Sequence, residues 1–182
     1  MFIFNFNQKK AMKKLLSIGC LILGMMFIST TTATAQDGQI KIGPGLIYGS
    51  EVESLGIKVD GYYSINEEFR IGVDLGYYFP DKTTIFGTEF KTNYFAINLN
   101  GNYIFYNEDE LMAYGLAGIN ILSISTSVGG TSDSASETGL NLGAGLEYAL
   151  DFGSLFGELK FAGIGGDADQ LVLGAGVRFS IK

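Results

Sequence analysis

The segment from Phe69 to Phe79 alternates without a break between apolar and polar or small residues. A period of two indicates a β-strand, because successive side chains of a strand point to opposite faces. The apolar face is aromatic at both ends and aliphatic in the middle. Such a face is typical of a strand that crosses a bilayer, where aromatic rings favour the two interfaces.

Seven further segments follow the same template: Ile40–Tyr48, Leu55–Ile65, Thr92–Tyr106, Leu111–Ser125, Thr138–Leu150, Leu155–Gly163 and Leu171–Lys182. In the fifth strand, Leu111–Ser125, alanine, glycine, leucine and isoleucine fall on both faces, so its orientation stays open. The pattern predicts an all-β fold, an eight-stranded antiparallel up-and-down transmembrane β-barrel.

The connections between these segments alternate in character. One set is tight and acidic: Asn66–Glu68, Asn107–Glu110 and Asp151–Gly153. The other set is longer and richer in glycine, serine and threonine: Asp81–Lys91, Thr126–Glu137 and Ile164–Gln170. Outer-membrane barrels have short periplasmic turns and longer external loops, so the tight set is predicted at the periplasm.

The first 35 residues have the pattern of a secretory signal peptide. Lys13-Lys14 precede the apolar run Leu15–Ile28, and Ala33-Thr34-Ala35 provide a cleavage site; Met12 is an alternative start. Residues 36–182 are then a single predicted barrel domain without cysteine, since Cys20 lies in the leader. That domain has eight basic residues against nineteen acidic ones, a balance that argues against nucleic acid as a partner.

Two features predict that the polar face lies inside the barrel. Glycine is frequent on that face, where it leaves room for larger interior side chains, and no charged residue falls on the apolar face. Five basic and four acidic residues are predicted to form a packed interior network: Lys41, Lys58, Asp60, Arg70, Asp74, Glu147, Glu158, Lys160 and Arg178. An eight-stranded barrel is filled by its own side chains. The alternative is that the network binds or passes an ion.

Several architectural motifs bring a family resemblance. They are Gly43-Pro44-Gly45, the pairs Gly61-Tyr62 and Gly76-Tyr77, and the ending Gly174–Phe179. With the leader, these features make the chain resemble the outer-membrane β-barrel domain family, the small eight-stranded barrels of the OmpA/OmpX and porin-like kinds, with the barrel only. The resemblance implies the bacterial outer membrane, contact with its lipid, and insertion by the barrel-assembly machinery. Many members end on an aromatic residue, whereas Ser180-Ile181-Lys182 follow Phe179 here.

No catalytic constellation is present in the sequence. A chain without histidine lacks the usual base of a serine nucleophile, so no enzyme and no cofactor are expected. Asp167 and Asp169 are weak calcium candidates, because carboxylates two residues apart in a loop can share an ion. Their simpler interpretation is a solvated acidic turn.

Three functional hypotheses remain from the sequence. The first is a structural or surface-interaction barrel that acts through the loops Asp81–Lys91 and Thr126–Glu137, with an unknown extracellular partner. The second is a narrow porin-like conduit for small ions or solutes. The third inverts the two faces and gives a soluble periplasmic barrel that binds an apolar ligand.

Overall fold

A computed structural model describes residues 38–85, 88–129 and 131–181 of the chain, in which eight antiparallel strands close into a barrel. The predicted signal peptide and the alternative start at Met12 lie outside the described residues. The strands are β1 Ile40–Gly49, β2 Ser54–Ser64, β3 Phe69–Ile85, β4 Thr88–Glu108, β5 Leu111–Val128, β6 Thr131–Leu150, β7 Gly153–Ile164 and β8 Gln170–Ile181. Each strand pairs with the next, and β1 pairs with β8, which confirms the predicted fold class. In this part of the chain, no helix is long and apolar enough to cross a membrane.

The alternation in β3 shows how the two faces are used. Val73 is 45% exposed on the outside, whereas its neighbour Asp74 is 2% exposed on the inside. The apolar row from Phe69 to Phe79 covers ten residue steps, about 33 Å of strand. At a strand tilt of about 40° this row gives an apolar belt about 25 Å tall, the height of a bilayer's hydrocarbon in such barrels.

Two segments predicted as loops are instead continuations of strands. The β3–β4 ladder runs to the pair Ile85 and Thr88, and the β5–β6 ladder runs to Val128 and Thr131. The predicted loops Asp81–Lys91 and Thr126–Glu137 are therefore wrong as loops. Serine and threonine residues can form a solvent-exposed β-ladder once the flanking strands have set its register. Gly129, whose φ is +56°, follows β5 in the tight turn.

The orientation of β5, which the sequence leaves open, is clear in the structure. Its even-numbered residues face the interior, so Met112, Tyr114 and Leu116 are buried, while Ile119 and Ile121 are exposed outside. This strand places apolar residues on both faces, which removes the contrast on which the prediction depends.

The seam that closes the barrel is interrupted in the middle of β1. Ile42 pairs with Phe179 and Gly45 pairs with Gly176, but the register has no pair between them, because Pro44 has no N–H to donate. Gly43 lies in this gap, and a Cβ atom there would come within 2.6 Å of the Arg178 side chain. The interior therefore packs tightly behind the interruption.

Candidate functional site

Arg178 on β8 is the centre of the interior network. Its guanidinium binds Asp60 through two hydrogen bonds, Nε to Oδ1 at 3.1 Å and Nη2 to Oδ2 at 2.8 Å. Nη1 donates to Glu147 Oε1 at 2.5 Å and to the Tyr114 hydroxyl at 3.1 Å. Nη2 also lies 3.5 Å from Glu158 Oε2. One fully buried side chain on the last strand thus connects four other strands.

Two lysines neutralise the carboxylates towards the middle of the barrel. Lys58 Nζ lies 3.2 Å from Asp60, 3.4 Å from Glu158 and 3.7 Å from Asp74. Lys160 Nζ lies 3.0 Å from Asp74. These side chains are all almost fully buried. Each carboxylate therefore meets at least one cation, as buried charges require.

The remaining basic residues meet Glu147 near the end of the barrel where β1 begins and β8 ends. Lys41 Nζ donates to Glu147 Oε2 at 3.1 Å, and Arg70 Nη1 lies 2.5 Å from Oε1. Ser154 also donates to Oε2, at 3.2 Å. All nine charged residues singled out in the sequence thus lie inside the barrel and share partners within one network.

Aromatic rings stack against the guanidinium groups of this network. The Tyr62 ring lies between two guanidinium groups, with the Cζ atoms of Arg70 and Arg178 at 4.6 and 4.7 Å from its centroid. Phe156 provides a second ring for Arg178, whose Cζ atom lies 3.9 Å from its centroid. Cations stacked on rings are stabilised without an added negative charge. The sequence analysis found the charges but did not predict these stacks.

An asparagine ladder extends the network towards the end opposite the start of β1. Asn98 and Asn100 donate to the two oxygens of Asp74, and Asn141 donates to the side-chain oxygens of both asparagines at 2.8 and 2.9 Å. Asn120 donates to Asn98 at 2.8 Å. Asn98 and Asn100, both on β4, therefore complete the hydrogen bonding of a buried carboxylate. Asn120 and Asn141 lie on β5 and β6, and only the strand register shows that they join.

Two apolar clusters pack against the polar interior. Towards the end opposite the start of β1, a buried cluster fills the barrel: Ile47, Tyr78, Ala96, Leu122, Ala162 and Val172. A second cluster lies beside the charges and contains Ile104, Met112, Tyr114 and Leu116. Arg70 Nη1 lies 3.9 Å from Met112 Sδ, and the Tyr114 hydroxyl binds Arg178. The cavity between the first cluster and the network has a volume of only about 10 Å³. That is the space of roughly one water molecule, too small for a solute path.

The end opposite the start of β1 and the end of β8, called the distal end below, is taller on one side. Pairing of β2 with β3 stops at Gly56 and Tyr78, and pairing of β6 with β7 starts at Leu140 and Ile164. Beyond these points β3–β6 continue alone as a sheet, called the four-stranded wall below, formed by residues 81–92 and 123–137. Residues 131–136 of the wall are all exposed.

The distal end is strongly acidic. Among the residues whose side chains the structure describes, its connections and the wall hold one basic residue, Lys91, and six acidic ones: Glu51, Glu53, Asp133, Glu137, Asp167 and Asp169. The calcium candidates Asp167 and Asp169 lie in the β7–β8 turn, and the backbone N–H of Asp167 donates to Glu137 at 3.2 Å. Among the residues described, no three His, Cys, Asp or Glu side chains are grouped so that they could hold a metal ion.

Solved structures that resemble this chain include proteins of bacterial outer membranes. The N-terminal β-barrel domain of Pseudomonas aeruginosa OprF matches 80% of the chain and 98% of its own, with 17% identity and a TM-score of 0.63. The match with Neisserial surface protein A covers 79% of this chain and 95% of that protein's chain, with 20% identity and a TM-score of 0.58. Ail, the attachment invasion locus protein of Yersinia pestis, in complex with the heparin analogue sucrose octasulfate, matches 78% and 97%, with 19% identity and a TM-score of 0.52. At these identities the likeness shows the fold.

Sequence comparison identifies the family. Among curated proteins none matches the chain significantly. The family model described as the outer membrane protein beta-barrel domain matches residues 19–179. That match covers all eight strands apart from the last two residues of β8. The chain therefore belongs to the outer membrane protein beta-barrel domain family and is a protein of the bacterial outer membrane.

Proposed function

We propose that this chain is a non-enzymatic surface-interaction protein in which the filled barrel anchors the four-stranded wall. The single observation that carries the proposal is the wall itself, because β3–β6 continue as a paired sheet beyond the rest of the barrel. A solvated sheet with two edges that lack a neighbouring strand offers backbone groups to a partner. Insertion by the barrel-assembly machinery belongs to the same proposal.

The charge of the distal end favours a basic partner. Six acidic residues against one basic residue, among the side chains that the structure describes, attract a cationic protein surface and repel polyanions. The Ail structure contains a heparin analogue, which is a polyanion. The present distal end has the opposite preference, so a shared fold does not imply a shared ligand.

The barrel interior supports anchoring in preference to transport. The charges are neutralised by one another, and two apolar clusters pack against them. The conduit hypothesis therefore has no observation in its favour. The soluble apolar-ligand hypothesis is wrong, because the interior is charged and the apolar face is outside, in a protein of the outer membrane.

The test is a shortened barrel that lacks the wall. Joining Pro80 to Asn93 and Ser123 to Ser136 through two-residue turns removes the wall except for Ser123, Ser136 and Glu137, and keeps the lower ladders. Nanodiscs with the full and shortened barrels are passed over immobilised polylysine and immobilised heparin. The full barrel is expected to bind polylysine and not heparin, and the shortened barrel to lose most of the binding.

A matched control separates the two ends of the barrel. Glu67→Gln with Glu68→Gln removes two carboxylates from the opposite end and should leave polylysine binding nearly unchanged. Equal binding by the full and shortened barrels, with both still folded by their gel mobility before boiling, would contradict the proposed role of the wall.

A further inference from the structure

The outward face of β3–β6 contains an apolar groove of about 610 Å³. Its floor is made of small residues, Gly101 and Ala117 paired across β4 and β5, with Gly115 beside them. A Cβ atom on Gly101 would meet nothing closer than 3.9 Å, and one on Gly115 nothing closer than 4.0 Å. At Gly43 in the interior, by contrast, neighbouring atoms occupy that space. Packing within the barrel therefore does not require glycine in the groove floor, and the space is open to an occupant.

Larger apolar side chains border the groove. Phe69 and Tyr103 form a tilted ring pair with centroids 5.1 Å apart, and Leu142 lies on the other side. The ring pair marks the edge of the apolar belt at the end of the barrel where β1 begins and β8 ends. The groove therefore faces the hydrocarbon of the leaflet on that side, and a lipid acyl chain is the molecule that reaches it.

The groove ends at a turn that has polar groups suited to one kind of headgroup. Asn66, which lines the groove, accepts the backbone N–H groups of Glu68 and Phe69 at 2.9 and 2.8 Å. This leaves its side-chain NH₂ as a donor. The backbone oxygen of Glu68 accepts from the N–H of Ile104 at 2.7 Å, which holds the turn beside β4 and the groove.

Carboxylates surround this end of the groove. Glu67 and Glu68 are exposed in the β2–β3 turn, and the neighbouring β4–β5 connection adds Glu108, Asp109 and Glu110. Neither turn contains a lysine or arginine. A headgroup with a primary ammonium is complementary to this charge, whereas an anionic headgroup is repelled.

We propose that the groove binds one phospholipid with an ethanolamine headgroup. One acyl chain fills the space over Gly101 and Gly115, the phosphate accepts a hydrogen bond from Asn66, and the ammonium lies against Glu67 and Glu68. Lipid tails are as apolar as the groove, so packing and the headgroup contacts provide the preference. The expected preference over an anionic lipid is on the order of fivefold, the effect of one charge contact at a membrane surface.

The experiment measures which lipids stay bound to the whole barrel. The protein is extracted from nanodiscs that contain equal amounts of phosphatidylethanolamine, phosphatidylcholine and phosphatidylglycerol, and bound lipids are counted by native mass spectrometry. Gly101→Leu fills the groove without a clash. Gly157→Leu is the matched control, since Gly157 faces outward on β7, away from the groove, and a Cβ there meets nothing within 4 Å.

The outcomes distinguish the two parts of the site. Wild type and Gly157→Leu should retain one phosphatidylethanolamine selectively, and Gly101→Leu should lose it. Glu67→Gln with Glu68→Gln should keep a bound lipid but lose the headgroup preference. Equal retention of all three lipids by every folded variant would overturn the proposal. So would a protein dimer that Gly101→Leu abolishes, since a second copy would then occupy the groove.

Discussion

Replacement of Arg178 by methionine should destabilise the barrel more than any other single change in the network. Methionine has a similar reach and no charge, so packing is roughly maintained while the guanidinium is lost. Asp60 then keeps one cation, Lys58 Nζ at 3.2 Å, and loses the guanidinium that binds both of its carboxylate oxygens. The stacking contacts of the guanidinium with Tyr62 and Phe156 are lost too.

The size of the effect follows from these contacts. Removing one partner of a buried ion pair costs about 3–5 kcal/mol, because the other charge is left without compensation. With a urea dependence of about 2 kcal/mol/M, the unfolding midpoint should fall by roughly 2 M. The assay is urea unfolding of the barrel in lipid vesicles, followed by the fraction that keeps its folded gel mobility without boiling.

Two further variants make this expectation specific. Lys41→Met removes a cation with one carboxylate partner, Glu147, which keeps both arginines, so its cost should be about 1–3 kcal/mol. Arg178→Lys keeps the charge but cannot form the two parallel bonds to Asp60, and should fall between the other variants. Equal midpoints for Arg178→Met and Lys41→Met would refute the central position of Arg178.

Three other outcomes are expected. Gly43→Val should lower the free energy of unfolding by about 1–3 kcal/mol by overpacking, whereas Gly61→Val should change it little, because a Cβ there meets nothing within 4 Å. The same urea series measures both variants, and equal losses would contradict the packing argument. Asn98→Ala should lower the free energy of unfolding by about 1–3 kcal/mol, because it leaves Asn120 and Asp74 each without one buried hydrogen bond. A decrease below about 0.5 kcal/mol would contradict a stabilising role of the asparagine ladder. Planar-bilayer recording should show no conductance above the lipid background for the wild type or for Leu122→Ala, which shortens one side chain of the buried apolar cluster. Stable unitary currents in the wild type would contradict a filled interior.

Outside β5, the sequence was sufficient to predict which residues share a face of the barrel. A period of two is enough to place Asp60 and Arg178 on the polar face of their strands. It does not reveal that they meet, because that contact depends on the stagger of eight strands around the barrel. Strands β2 and β8 are distant in sequence and are not neighbours in the sheet, yet their side chains meet across the interior.

The sequence was less informative where polar side chains could be either strand or loop. Residues 131–136 resemble a loop because serine, aspartate and alanine give neither face an apolar character. In the structure these residues pair with β5, because residues 111–121 of β5 are already paired with β6 and set the register. Pairing with a fixed neighbour therefore decided the conformation of this segment, whereas its own composition did not.

The distribution of charge explains how the barrel is held at one depth in the membrane. Within the described residues, the outward belt between the two ends carries no charged side chain, while the interior holds five cations and four anions close to neutrality. The acidic turns below the belt and the acidic distal end above it resist entry into hydrocarbon, where a charge costs about 2–4 kcal/mol at the midplane. A vertical slip of the barrel in either direction would bring several carboxylates into the apolar layer at once. The two acidic ends therefore fix the depth at which the wall stands clear of the membrane, which an anchor for surface contacts requires.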